Sequence, residues 1–232
     1  MGKRGVKPKQ HVSTQWSGEL AYAVGLIVTD GCLSVDGRHI EFSSKDRDLV
    51  YTFRKCLKLE NTVGKKTSGY TGRNDYYRIQ FGDVHFYEWL QRIGLSPRKS
   101  KTIAKLKIPR RYFFDFLRGS FDGDGTIYSY WDPRWHSSYM FYITFTSASL
   151  QHLQWLKESI ENILGVTGTI KVGARAYQLA YAKTSSRALL KKMFHRENIP
   201  YLKRKFLKAM KILKIDDLHS QAQVAEPVYA TA

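Results

Sequence analysis

One nine-residue phrase is written twice in this chain, and that constrains the fold more than any other feature. Ala23-Val24-Gly25-Leu26-Ile27-Val28-Thr29-Asp30-Gly31 returns as Leu117-Arg118-Gly119-Ser120-Phe121-Asp122-Gly123-Asp124-Gly125. In register, Gly25 falls on Gly119, Asp30 on Asp124 and Gly31 on Gly125. Each copy closes an apolar helical run, so each sets a carboxylate at the negative end of a helix dipole. That position disfavours an acid by a few tenths to about 1 kcal/mol. Something cationic is expected to compensate, and two such ends brought together would make a divalent-metal site.

The pattern around the phrase repeats as well. The helical run Gly18 to Thr29 is followed by extended pieces at 38–44, 61–67 and 75–81, with helices predicted over 46–59 and 83–93. Tyr77, Ile79 and Phe81 alternate with Tyr76, Arg78 and Gln80, the period of a half-buried strand. A second helix starts at Tyr112 and runs into Asp124. Beyond it, Tyr139, Phe141, Ile143 and Phe145 alternate in the same way. A helix at 149–164, strands near 168–172 and 177–183, and a helix at 185–197 complete the unit. The expectation is an α+β fold of two pseudo-symmetric αββαββα repeats, covering 18–107 and 108–215. Residues 1–17 read as a flexible basic arm carrying Lys3, Arg4, Lys7 and Lys9, and 216–232 as a loose tail.

Gly25 shares a helical face with Ala21, and Gly119 holds the matching place in the second helix. Small residues there let two helices approach closely and bring Asp30 and Asp124 toward one axis. A further correspondence is basic: Lys99 and Lys101 follow the first unit as Lys203 and Lys205 follow the second, each pair 104 residues apart. The formal charge of +18 and the pI near 9.8 make a polyanion the first partner to consider. A membrane surface is the rival polyanion, but no run approaches the roughly 20 apolar residues of a membrane span and the N-terminus has no signal-peptide core. An intracellular location follows as the default. Cys32 and Cys56 form no C-x-x-C pair and read as reduced, buried thiols, and no H-x-x-x-H supports zinc.

Both copies of the phrase resemble the LAGLIDADG signature of homing endonucleases. The second, ending Asp-Gly-Asp-Gly, is the nearer. The first departs at Val28, where the signature has its earlier acid, which in the family is not the essential one. The resemblance covers residues 18 to about 213. It implies that the two motif helices form the domain interface through Gly25 and Gly119, that the repeats make a saddle over DNA, and that each helix delivers one catalytic acid, Asp30 or Asp124. It adds the carbonyls of Thr29 and Gly123 as metal ligands. It also puts one lysine of each basic pair in each catalytic pocket, with Lys101 and Lys205 preferred over Lys99 and Lys203.

Two neighbouring carboxylates suit Mg²⁺ (or Mn²⁺), which accepts few protein ligands and takes phosphate oxygens for the rest. Ca²⁺ is expected to support binding but not cleavage. Sheet residues on one face reach base edges in a major groove. Those nominated are Arg38, Lys65, Arg73, Arg78 and Gln80 in the first repeat, and Tyr128, Arg134, Lys171, Arg175 and Gln178 in the second. Lys45, Lys66 and Lys183 could equally bind phosphate, and most tyrosines read as core. The expectation is a monomeric endonuclease that makes a staggered break with 3′ overhangs in a long, imperfectly palindromic duplex. Its rivals are an RNA-binding intron maturase and a non-cleaving DNA-binding regulator on the same scaffold.

Overall fold

The computed structural model describes residues 11–67, 72, 74–135 and 138–225, with side chains of the last helix through residue 221. Helix α1 (Gly18–Asp30) starts where the Ser17 hydroxyl accepts from the Leu20 N–H. It is followed by strands β1 (Gly31–Leu33) and β2 (His39–Ser44), helix α2 (Arg47–Cys56), strands β3 (Gly64–Lys66) and β4 (Tyr76–Gly82), and helix α3 (Val84–Arg92). The second unit has the same order: α4 (Phe113–Asp124), β5 (Thr126–Trp131), β6 (Tyr139–Ser147), α5 (Leu150–Leu164), β7 (Thr169–Val172), β8 (Tyr177–Tyr181) and α6 (Lys183–Met193). A further helix, α7 (Lys203–Ala225), closes the chain. Each unit forms one antiparallel four-stranded sheet, ordered β1-β2-β4-β3 and β5-β6-β8-β7.

The alternation read from the sequence sets which face is covered. Ile40, Phe42, Ile79 and Phe81 in the first sheet, and Ile127, Phe141, Ile143, Phe145 and Leu179 in the second, are buried in the core. The residues between them form the opposite, more open face.

The helices α1 and α4 join the units. A Cβ added to Gly18 would touch the Asp115 carboxyl, one on Gly119 would lie 3.1 Å from the Gly25 Cα, and one on Gly123 would lie 3.1 Å from Asp30 Oδ2. Starts therefore meet starts and ends meet ends, so the helices run parallel. A Cβ on Gly25 would collide with the Phe116 carbonyl oxygen and sit 2.7 Å from the Ser120 nitrogen. A Cβ on Gly119 would collide with the Tyr22 carbonyl oxygen. Only glycine lets the two backbones come this close.

Two terminal expectations are corrected. The loose stretch does not begin at residue 216: α7 continues through it to Ala225, and Asp216 is buried, 2.7 Å from Lys183 Nζ and 2.5 Å from Arg187. This ion-pair cluster holds a segment whose own hydrophobic pattern is weak. Residues 11–17 are likewise built into the first repeat. The Asp83 carboxylate accepts the His11 and Val12 N–H groups at 2.7 and 2.9 Å, and Trp16 packs on Trp89 with ring centroids 4.9 Å apart. The arm's four basic residues lie outside the described residues. Cys56 is largely enclosed, but Cys32 is exposed on β1 rather than buried. Among the described residues no helix is long and apolar enough to cross a membrane.

Candidate functional site

Parallel packing concentrates negative charge at one end of the helix pair, where two helix C-termini and the carboxylates of Asp30 and Asp124 meet. Two buried lysines answer it. Lys205, in the first turn of α7, donates to the carbonyls of Phe121 at 2.6 Å, Asp122 at 2.9 Å, Gly123 at 3.1 Å and Gly125 at 2.6 Å. Lys99, in a turn of 3-10 helix at Lys99–Lys101, donates to the carbonyl of Gly31. Gly31 and Gly125 are equivalent in the repeat, so Lys99 and Lys205 are the equivalent lysines. The sequence pairing of Lys99 with Lys203 and Lys101 with Lys205 is therefore replaced. Lys101 and Lys203 are exposed and make no such contact with a helix end. Extra residues before α7 shift the register by two, and nothing in the two lysine pairs announces it.

Ionisation follows from this crowding. Burial, with Asp124 close by, raises Asp30 to about 6, while Lys205 and the Thr29 hydroxyl pull it back. Asp124 reaches the surface, yet the protein behind its carboxyl also raises it, opposed by Lys205 and Lys99. Burial lowers Lys205 to about 8 and moves Lys99 in the same direction. The earlier acid of the second copy, Asp122, is buried. Its carboxylate accepts from the Tyr22 hydroxyl at 2.8 Å and from the Leu202 N–H at 2.7 Å, which ties α1, α4 and the entry to α7 together and so positions Lys205. Sequence reading did not give Asp122 this role, because the contacts come from residues 100 and 80 positions away.

Among the described residues no three His, Cys, Asp or Glu side chains cluster as a metal cage. The donor set is instead two carboxylates, neither in direct contact with a cation, with the Thr29 and Gly123 carbonyls beside them. Such a set fits a hard cation that completes its shell with water and phosphate oxygens. A cavity of about 150 Å³ opens beside Asp124, lined among others by Thr29, Ser100, Ser120, Thr146 and His152. The buried Ser120 hydroxyl has no protein partner there, and a cavity of this size, part polar and part lined by Val28, Ile103, Phe145 and Leu156, has room for a water beside it.

The nominated sheet residues divide. Arg78 and Gln80 stand on the open face of the first sheet, as do Tyr128, Lys171 and Gln178 on the second. Lys65 pairs with Tyr77, on the other side of the alternation, with its ammonium 5.5 Å from that ring. Arg38 and Arg175 are exposed in turns, and Arg73 lies outside the described residues. Arg134 is not free, since it forks onto Asp132 at 2.8 and 3.1 Å. Lys45 lies 3.2 Å from Asp75, Lys66 binds Glu41, and Lys183 pairs with Asp216. Glu41, Tyr130 and Tyr142 also stand on the open faces and were missed; the alternation read in the sequence covers only Tyr142.

Two αββαββα units joined through glycine-packed parallel helices, with an acid and a buried lysine at the C-terminus of each helix, define a LAGLIDADG-type fold. Residues 17–101 match the LAGLIDADG-like domain model, and the described residues of both units share the two-repeat fold of LAGLIDADG meganucleases. Among solved structures it is similar to the meganuclease I-SmaMI bound to uncleaveable DNA, at 12% identity and TM-score 0.61, over 93% of this chain and 94% of that one. It is similar to the meganuclease I-AabMI bound to uncleaved DNA, at 13% identity and TM-score 0.58, over 87% and 91%. It is also similar to full-length DUF199/WhiA from Thermatoga maritima, at 17% identity and TM-score 0.55, covering 88% of this chain and 63% of that one. At such identities the likeness is one of fold. No curated protein matches the sequence.

Proposed function

We propose that the chain is a site-specific, metal-dependent DNA endonuclease that binds a long duplex and cuts both strands to leave 3′ overhangs. The observation that carries this reading is the parallel helix pair, which brings Asp30 and Asp124 to one end between two buried lysines. The net charge of +18 supports a polyanionic substrate, and the structural neighbours solved with DNA support a duplex. Asp30 and Asp124, with the carbonyls of Thr29 and Gly123, would hold Mg²⁺. When bound, the ion lowers the pKa of water and stabilises charge on the attacking and leaving oxygens. Lys99 and Lys205 fix the two helix ends through their carbonyls, so the acids stay aimed at a common point. Their positive charge also lies where negative charge on a phosphodiester builds up during hydrolysis.

The test is to select cleaved molecules from a randomised duplex library with Mg²⁺ present. Recovery of one long, imperfectly palindromic sequence cut in both strands supports the proposal. Tight duplex binding with no cleavage in Mg²⁺ or Mn²⁺ overturns the nuclease assignment and favours a non-cleaving DNA-binding protein.

A further inference from the structure

The open faces of the two sheets are built from different chemistry. On the first, strand pairing sets Glu41 beside Gln80 and Ser43 beside Arg78, and Glu41 holds both Lys66 and Arg78, the latter at 3.5 Å. On the second, it sets Thr126 beside Thr144, Tyr128 beside Tyr142 and Tyr130 beside Met140. No charged side chain stands among these six. The Tyr142 ring lies 5.3 Å from that of Tyr128 with 13° between planes, and 6.3 Å from that of Tyr130 with 3° between planes.

Three near-parallel rings turn their faces toward one another, so these faces are not free to stack an unpaired base. What they present outward is a row of ring edges, hydroxyls and methyl groups. Positive charge borders the row, with Lys171 on the same face and Arg175 in the turn between β7 and β8, and Asp132, just past the Tyr130 end, is neutralised by Arg134. A largely apolar strip with a basic margin fits the groove of a duplex rather than an acidic or neutral protein surface. In the major groove, the feature that apolar groups recognise is the C5 methyl of thymine.

The geometry points to a division of labour in which Tyr128, Tyr130 and Tyr142, with Thr126 and Met140, read thymine methyls in one half of the target. Arg78 and Gln80 read purine edges by hydrogen bonding in the other half. This rests on the DNA-binding reading above and adds to it the base composition of one half-site.

Deoxyuridine tests it, because uracil lacks the methyl and keeps every hydrogen-bonding group of thymine. The full chain is first used to select its duplex site. Thymines are then replaced by deoxyuridine in one half at a time, and affinity is measured in Ca²⁺. The half read by the tyrosines is expected to lose about fourfold per contacted methyl, the value of one buried methylene-sized group, while the other half is unchanged. In a parallel selection, Tyr128→Lys, a change at an exposed ring, should move one position of the uracil-sensitive half from thymine to guanine. Equal tolerance of deoxyuridine in both halves overturns the inference but leaves the endonuclease reading standing. The inference fails in the same way if Tyr128→Lys leaves the selected sequence unchanged or alters the insensitive half. A chain that selects no duplex site overturns both.

Discussion

At Lys205 a single ammonium faces four carbonyl oxygens, and the energetic consequence is specific to that atom. Lys205→Met keeps the aliphatic stem but leaves those acceptors without a donor. A loss of about 2–3 kcal/mol is expected in chemical denaturation, against changes within about 0.5 kcal/mol for the exposed Lys101→Ala and Lys203→Ala. Equal losses at all three positions would remove the structural distinction between the lysines. Asp30→Asn and Asp124→Asn preserve shape and remove a charge, so each should abolish double-strand cleavage and leave duplex binding near normal. Cleavage close to wild-type rates by either variant would sink the catalytic assignment. His152 makes a different prediction. Burial depresses it to about 4, and its ring bonds the Ala104 carbonyl at 3.0 Å. The folded protein therefore holds it neutral where the unfolded chain protonates it, so its stabilising contribution is lost as pH falls from about 6.5 through about 4. The shift corresponds to about 3 kcal/mol. Asp30 and Asp122, raised to about 6, give the opposite slope. The difference in stability between His152→Gln and the parent isolates the histidine: it should shrink toward low pH, and a pH-independent difference would refute the assignment.

At the scale of elements, the paired helices depend on what Gly25 and Gly119 lack. Ala at either position would ordinarily favour a helix, but here its Cβ meets the Phe116 or Tyr22 carbonyl oxygen, which cannot move without its helix. A destabilisation of about 4 kcal/mol or more is expected for Gly25→Ala or Gly119→Ala, read from the denaturation midpoint. A neutral or stabilising effect would mean the helices are farther apart than described. Such elements were legible because their signals are local: the phrase ending at Asp30 and Asp124 marked both helices, and alternation marked β4 and β6. What escaped was set at long range. Helix α7 from residue 216 onward is fixed by Asp216 meeting Lys183 and Arg187 on α6, and the equivalence of Lys99 with Lys205 emerges only when both reach matching carbonyls. Glu41 was overlooked for a related reason, since its role lies in neutralising Lys66 and Arg78 across the sheet.

Over the whole molecule, duplication fixes the architecture, and the departures from it give each half its own chemistry. The repeats are also joined outside the helix pair by Arg204, which forks onto Asp46 at 2.7 and 3.0 Å. An ion pair this open contributes about 1 kcal/mol at most, so the helix interface remains the principal joint. Charge is distributed just as unevenly. Lys3, Arg4, Lys7 and Lys9 precede the point where His11 and Val12 are pinned to Asp83, so removing residues 1–10 takes away four positive charges and leaves that anchor in place. Phosphate contacts release counterions without regard to sequence, whereas a side chain on a sheet face addresses one base. Deleting residues 1–10 should therefore weaken all duplexes alike and make the dependence of log affinity on log salt shallower by up to about 4. Arg78→Ala should instead relax preference at one position, costing about 1–3 kcal/mol there. Salt titrations on the selected site and on a scrambled duplex separate the two. A uniform loss for Arg78→Ala would place that side chain on the phosphates, and an unchanged salt slope for the deletion would take the arm off the DNA.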